Sequence, residues 1–246
     1  MNFTSLVKAA IERVAPIHVF RTLPRGMEVA YDIRHSLPRY RVETVFDVGA
    51  NVGQSARQYL RSFPDSHIYC FEPVQDTFRQ LQENLTGNNR VRCARLALGA
   101  SRGKGQMVVR KLSLTSSFVR SDSVTEPNES TEDVDIATLE DFCITAKVAH
   151  VSYLKIDTEG SDLDVLRGGE SLLGEQRIDF VEVEASMHPG NQWHVRFESL
   201  KDYLESKNYL LFGIYTQKSE VPSTGPHLRR TNTTFISRRM IDRHRR

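Results

Sequence analysis

Three short segments hold the residues whose types and spacing could do chemistry. The first is Phe46-Asp47-Val48-Gly49-Ala50-Asn51-Val52-Gly53-Gln54. An apolar run delivers the chain into a turn with glycines at its first and fifth positions. Gly49 permits a sharp exit from a strand, and Gly53 permits close approach of a ligand or of a helix to the sheet. Asn51, between them, tolerates left-handed backbone angles better than most side chains. The second segment is Phe71-Glu72-Pro73, with Glu72 placed 19 residues after Gly53. An acid at that distance from a glycine turn is suited to accept hydrogen bonds from both hydroxyls of a ribose. The third is Lys155-Ile156-Asp157-Thr158-Glu159-Gly160, where two acids stand two residues apart just before a helix start at Ser161-Asp162. As a cap or dipole partner, either acid would serve only that helix. As a site group, it would meet Glu72 and the glycine turn on one sheet edge.

The spacing of the glycines narrows the ligand. A dinucleotide fingerprint needs glycines at offsets 0, 2 and 5, and this chain has Gly49, Asn51 and Gln54 there. No Gly-Lys-Ser/Thr follows, so a phosphate loop is excluded as well. A compact Gly-x-Asn-x-Gly turn preceded by Asp47 suits an adenosyl ligand without pyrophosphate. S-adenosylmethionine is such a ligand, and its sulfonium and ammonium groups favour nearby acids.

These segments need an alternating scaffold, and the sequence supplies one. Thr44–Val48 reads as a strand, 54–62 as a helix, 67–71 as a strand, 77–85 as a helix and 91–98 as a strand. Residues 103–118 read as short strands or a hairpin, and 121–131 as a polar loop. Further strands are expected over 134–137, 151–156, 178–184, 209–215 and 233–236, with helices starting at Thr138 and spanning 161–173 and 197–207. Such alternation implies an α/β fold, doubly wound around a mainly parallel sheet, with an antiparallel edge strand. Residues 1–41 are expected as a helical or irregular extension packing on the core, 42–238 as the ligand-binding domain and 239–246 as a basic tail. In the extension, Phe3, Leu6, Val7, Ala10, Ile11 and Val14 follow helical spacing.

Bulk properties exclude several classes. A net charge of +2 is too small to imply a nucleic-acid partner, and no apolar run is long enough for a membrane span. Eight acids and no Lys or Arg fall between Ser121 and Asp141, while arginines crowd the end of the chain; both read as solvated surface. The three cysteines form no C-x-x-C pair, so no cysteine zinc site or disulfide framework is expected, and a cytoplasmic location fits.

The chain resembles the FkbM-type methyltransferases. FDVGANVGQ at 46–54, FEP at 71–73, ALG at 97–99, TLED at 138–141 and LKIDTEGSDLDVLRGG at 154–169 carry the likeness, in order. It implies a class I Rossmann-like fold with S-adenosylmethionine as donor, and O-methylation of a hydroxyl on a sugar, glycan or secondary metabolite. Asp47, Gly49, Ala50, Asn51, Gly53, Gln54, Glu72, Pro73, Ala97 and Asp157 are the cofactor-binding candidates. An alcohol acceptor needs its proton removed as its oxygen attacks. Asp157, His188, Glu159 and Glu184 are the candidates, with Asp157 and His188 foremost. Trp193 is a candidate wall for the acceptor. A divalent cation on Asp157 and Glu184 would serve too, but no compact ligand motif calls for it and no metal is predicted. The competing readings are a non-catalytic Rossmann-like binding module and a nicotinamide-dependent oxidoreductase.

Overall fold

A computed structural model describes residues 20, 22–110, 117–118, 129–191, 193–219 and 226–245. The expected N-terminal amphipathic helix and most of the 121–131 loop lie outside these residues. Among the described residues, no helix is long and apolar enough to cross a membrane.

The centre is a seven-stranded sheet of order β10-β11-β9-β8-β1-β2-β3. Its strands are β1 (Thr44–Val48), β2 (His67–Phe71), β3 (Val91–Ala94), β8 (Val151–Ile156), β9 (Ile178–Ser186), β10 (Tyr209–Ser219) and β11 (Leu228–Ser237). β1, β2, β3, β8 and β9 run parallel, while β11 is antiparallel to both β9 and β10. Every residue of β8 and β9 is buried, as both faces of a parallel sheet must be once helices cover them. Side chains alternate between two cores. Phe46, Val48, Leu154 and Val181 enter one, and Val45, Ile68, Tyr153 and Phe180 enter the other.

The first core is covered by α4 (Leu139–Ala146), α5 (Asp162–Arg167), α6 (Glu170–Gly174) and α7 (Phe197–Ser206). The second is covered by α1 (Val29–Ser36), α2 (Gln54–Ser62) and α3 (Gln75–Leu85). Thr138 starts α4 with a reciprocal capping box to Asp141. The single helix expected over 161–173 is two, broken at Gly168-Gly169, where any Cβ on Gly168 would drive into the backbone carbonyl of Gly99. The strand expected over 91–98 is also two elements. After β3 the chain leaves the main sheet, and β4 (Ala97–Leu98) pairs with β7 (Glu129–Ala137). With β5 (Gly103–Arg110) and β6 (Ser117–Phe118), these form a second sheet of order β4-β7-β5-β6.

Residues before β1 are tied to the far edge of the main sheet. Arg25 donates to the Phe212 carbonyl at 2.7 Å, and buried Asp32 accepts from Gly26 N–H at 2.8 Å and Tyr215 O–H at 2.9 Å. Within the expected basic tail, Arg239 and Arg243 lie in a short helix. Ser237 caps α8 (Arg238–His244), accepting from Met240 N–H at 3.2 Å, and Met240 is buried.

Candidate active site

The carboxyl ends of β1, β2 and β8 open into a cleft of about 670 Å³, where an open α/β sheet places its ligands. Gly49 and Ala50 both donate their N–H groups to the Phe71 carbonyl at 3.0 Å, while Asp157 N–H donates to Val48 at 3.0 Å. The turn is thereby pinned between β2 and β8. Gly49 has φ +79, and any Cβ there would drive into the Asp157 carbonyl, so only glycine fits. Of the two close approaches expected at Gly53, a ligand or a helix, the structure shows a helix. At φ +91, its missing Cβ leaves room for Leu81 and Leu85 of α3, whose Cδ1 atoms would lie 3.1 Å away. It is absent from the cleft lining, and so is Asp47.

Glu72 closes the turn. Its Oε1 accepts from Val74 N–H at 3.0 Å and its Oε2 from Asn51 N–H at 3.2 Å, with Asn51 held at φ +50. Each oxygen keeps a further lone pair, and the residue lines the cleft. Burial pushes its carboxyl up to about 7, against the opposing pull of the two backbone donors. Leu96, Ala97, Leu98 and Met107 line an apolar wall from the second sheet and the segment entering it.

Beneath the cleft, Lys155 stands between two acids, 3.1 Å from Asp157 Oδ2 and 3.6 Å from Asp47 Oδ1. Burial alone would raise the Asp157 carboxyl. Lys155, Arg230 and His194 outweigh it and hold the group below the usual carboxylate range. Burial, with help from Asp157, instead raises fully buried Asp47. The turn-capping role falls to Asp162, which accepts from Thr158 N–H at 3.3 Å and Gly160 N–H at 3.2 Å. Asp157 and Glu159 are thus left facing the cleft, Glu159 on a left-handed backbone at φ +50.

The 187–195 loop returns to the sheet through Ser186 N–H to Val195 O at 2.8 Å. That closure brings His194 Nε2 to 2.7 Å from Glu184 Oε2 and 3.4 Å from Glu159 Oε2. Arg230 on β11 pairs with the other Glu184 oxygen and also lines the cleft.

The structure therefore gathers Gly49, Ala50, Asn51, Gln54, Glu72, Pro73, Ala97, Asp157 and Glu159 around one cleft, with Glu184 buried behind Arg230. It places His188 elsewhere: the ring stacks on His227 at 4.5 Å, accepts from Gly190 N–H at 3.1 Å, and is not in the lining. Trp193 is half-exposed and also outside the lining. Sequence reasoning missed Lys155, His194 and Arg230. A lysine inside the otherwise apolar run of β8 was a readable signal; the other two had none locally.

The sheet order and the cleft at the carboxyl ends of its parallel strands define a doubly wound α/β fold with an antiparallel edge. Residues 47–211 match the methyltransferase FkbM domain, and the chain belongs to that family. Its relatives include the 2-O-methyltransferase NoeI of Sinorhizobium fredii, 24% identical over 156 residues. The match covers 56% of this chain and 62% of NoeI. The hexuronic acid methyltransferase AglP of Haloferax volcanii is 26% identical over 159 residues, covering 60% of this chain and 58% of AglP. The chain thus spans about three-fifths of each relative's length. Among solved structures, M. capricolum TrmK in complex with S-adenosylhomocysteine superposes with a TM-score of 0.47 at 11% identity, covering 80% of this chain and 62% of TrmK.

Proposed function

We propose that this protein is an S-adenosylmethionine-dependent O-methyltransferase acting on a hydroxyl of a sugar, glycan or secondary metabolite. The observation that carries the reading is Glu72, a buried carboxylate with spare lone pairs beside a glycine turn that only glycine can make. Bound S-adenosylmethionine would supply an electrophilic methyl group on a sulfonium. Glu72 would accept the ribose hydroxyls, and the wall of Leu96, Ala97, Leu98 and Met107 would take the adenine. The backbone of Gly49 and Ala50 passes close to the remainder of the donor. In-line displacement depends mainly on such positioning.

Asp157 stays ionised at neutral pH because Lys155 holds its carboxyl low. It accepts a hydrogen bond from the attacking hydroxyl and turns the oxygen lone pair toward the methyl carbon. Glu159 flanks it on the acceptor side. The relatives NoeI and AglP, named for 2-O- and hexuronic acid methylation, support a carbohydrate acceptor. The small net charge argues against a nucleic acid, and three free thiols suit a cytoplasmic location. The test is mass spectrometry of products after incubation with methyl-labelled donor and a panel of hexoses, hexuronic acids and their oligomers. Label on a hydroxyl oxygen is expected. Label on no acceptor in the presence of bound donor would favour a non-catalytic binding module.

A further inference from the structure

Among the described residues, one group of three His, Cys, Asp or Glu side chains brings its ligand atoms within 4.8 Å of one another: Glu159, Glu184 and His194. It comes from three separate pieces of chain, the loop after β8, the end of β9 and the loop that returns to β9. We propose that His194 Nε2 and one carboxylate oxygen each from Glu159 and Glu184 hold a divalent cation at the edge of the cleft.

The alternative is a plain ion pair between His194 and Glu184, and the geometry disfavours it. His194 Nε2 and Glu184 Oε2 stand 2.7 Å apart, yet neither atom has a properly aligned hydrogen-bond partner, and both are buried. A ring N–H must point along its acceptor to bond it. Here two carboxylate oxygens crowd one ring nitrogen, the second at 3.4 Å, and a single N–H serves only one. Converging lone pairs of this kind are satisfied by a cation.

The surroundings fit that reading. Trp193 N–H donates to Asn191 Oδ1 at 3.0 Å, which fixes the oxygen end of that amide. His194 Nδ1 lies 3.0 Å from Asn191 Nδ2 and 3.2 Å from Asn191 Oδ1, so the Asn191 amide holds the ring in place with Nε2 toward the two glutamates. Metal-binding histidines are commonly oriented in this way through their other nitrogen. The donor set of one imidazole and two carboxylates suits a borderline or hard divalent ion such as Mn²⁺ or Zn²⁺. Glu184 and His194 close the inner side, while partly exposed Glu159 lines the cleft and leaves outer positions open to water or ligand oxygens. Glu159 sits on a left-handed backbone at φ +50, a conformation that costs energy and that the surrounding structure must sustain.

Resting on the methyltransferase reading, the cation would bind the acceptor hydroxyl and lower its pKa, so that the oxygen attacks as an alkoxide. The hydroxyl proton passes to Asp157, the oxygen–methyl bond forms as the sulfur–methyl bond breaks, and neutral thioether leaves.

The experiment is a calorimetric titration of the chelator-stripped full-length protein with Mn²⁺, repeated with Zn²⁺, in the absence of any donor. One ion per chain is expected. His194→Ala and Glu159→Gln should each weaken binding at least about tenfold, with melting temperature and S-adenosylhomocysteine affinity read alongside. Glu159 is partly exposed, so its variant keeps the test meaningful if His194→Ala fails to fold. No uptake of either ion by the wild type, or affinity unchanged in Glu159→Gln, would overturn the proposal. Metal uptake without S-adenosylhomocysteine binding would instead overturn the methyl-donor reading and leave the metal site standing.

Discussion

Glu72 makes donor affinity depend on pH in a calculable way. Burial raises its carboxyl to about 7 from an ordinary 4.5. Ribose hydroxyls donate to the ionised form, so binding selects the carboxylate and stabilises it. With a free-protein value of about 7, roughly one-eleventh of the protein carries the ionised group at pH 6 and roughly ten-elevenths at pH 8. Affinity for S-adenosylhomocysteine should therefore rise about tenfold between those values, or about 1.4 kcal/mol. The ligand's own titration is common to all variants and cancels in a ratio. Calorimetry on wild type and Glu72→Gln across pH 5.5–8.5 is the assay. The variant should bind about 1–3 kcal/mol more weakly at pH 8 and lose the extra slope. Wild-type affinity that does not change between pH 6 and 8, or an identical slope in Glu72→Gln, would refute the assignment. In the free protein the sign for stability is the reverse. A raised folded-state value means Glu72 favours folding below about 4.5 and loses that contribution as pH climbs through about 7.

Other consequences can be measured on the same protein. Asp157→Asn should keep most of the S-adenosylhomocysteine affinity and lower the melting temperature by the loss of its pairing with Lys155, while turnover of the folded protein on an accepted hydroxyl falls about 10²-fold, at the low end of general-base effects; near-normal turnover would remove Asp157 from the chemistry. Gly53→Val should lower stability by about 1–3 kcal/mol through overpacking against Leu81 and Leu85, with donor affinity retained in the folded fraction at low temperature. Affinity lost at unchanged melting temperature would return Gly53 to the ligand. Lys155→Met leaves two acids, Asp47 and Asp157, without their shared cation, and should cost about 3–5 kcal/mol by thermal or urea unfolding.

Local signals account for what the sequence made legible. β1 and its turn are contiguous, Glu72 directly follows the next strand, and each obeys a rule that acts over a few residues: an apolar run, a glycine at positive φ, an acid after the next strand. The close approach of Gly168 to the Gly99 carbonyl was not legible, because the two residues are far apart in sequence. The capped helix after Ser237 was concealed by its arginines, although a serine three residues before a buried methionine was available as a start signal. His194 and Arg230 were out of reach for a topological reason. Arg230 meets Glu184 through the antiparallel pairing of β11 with β9, in which Arg230 sits opposite Ser186. His194 arrives by a loop closed on Ser186. His188 was chosen over it because both lie in one polar loop and no periodic pattern ranks them.

The central claim is that the cleft beside Gly49 and Glu72 takes an adenosyl sulfonium donor. Calorimetric titration of the purified protein with S-adenosylhomocysteine, in parallel with NAD, tests it most directly. The account predicts saturable binding of S-adenosylhomocysteine at one site per chain and no heat of binding with NAD. Binding of NAD, or no binding of S-adenosylhomocysteine at pH 8, would contradict it.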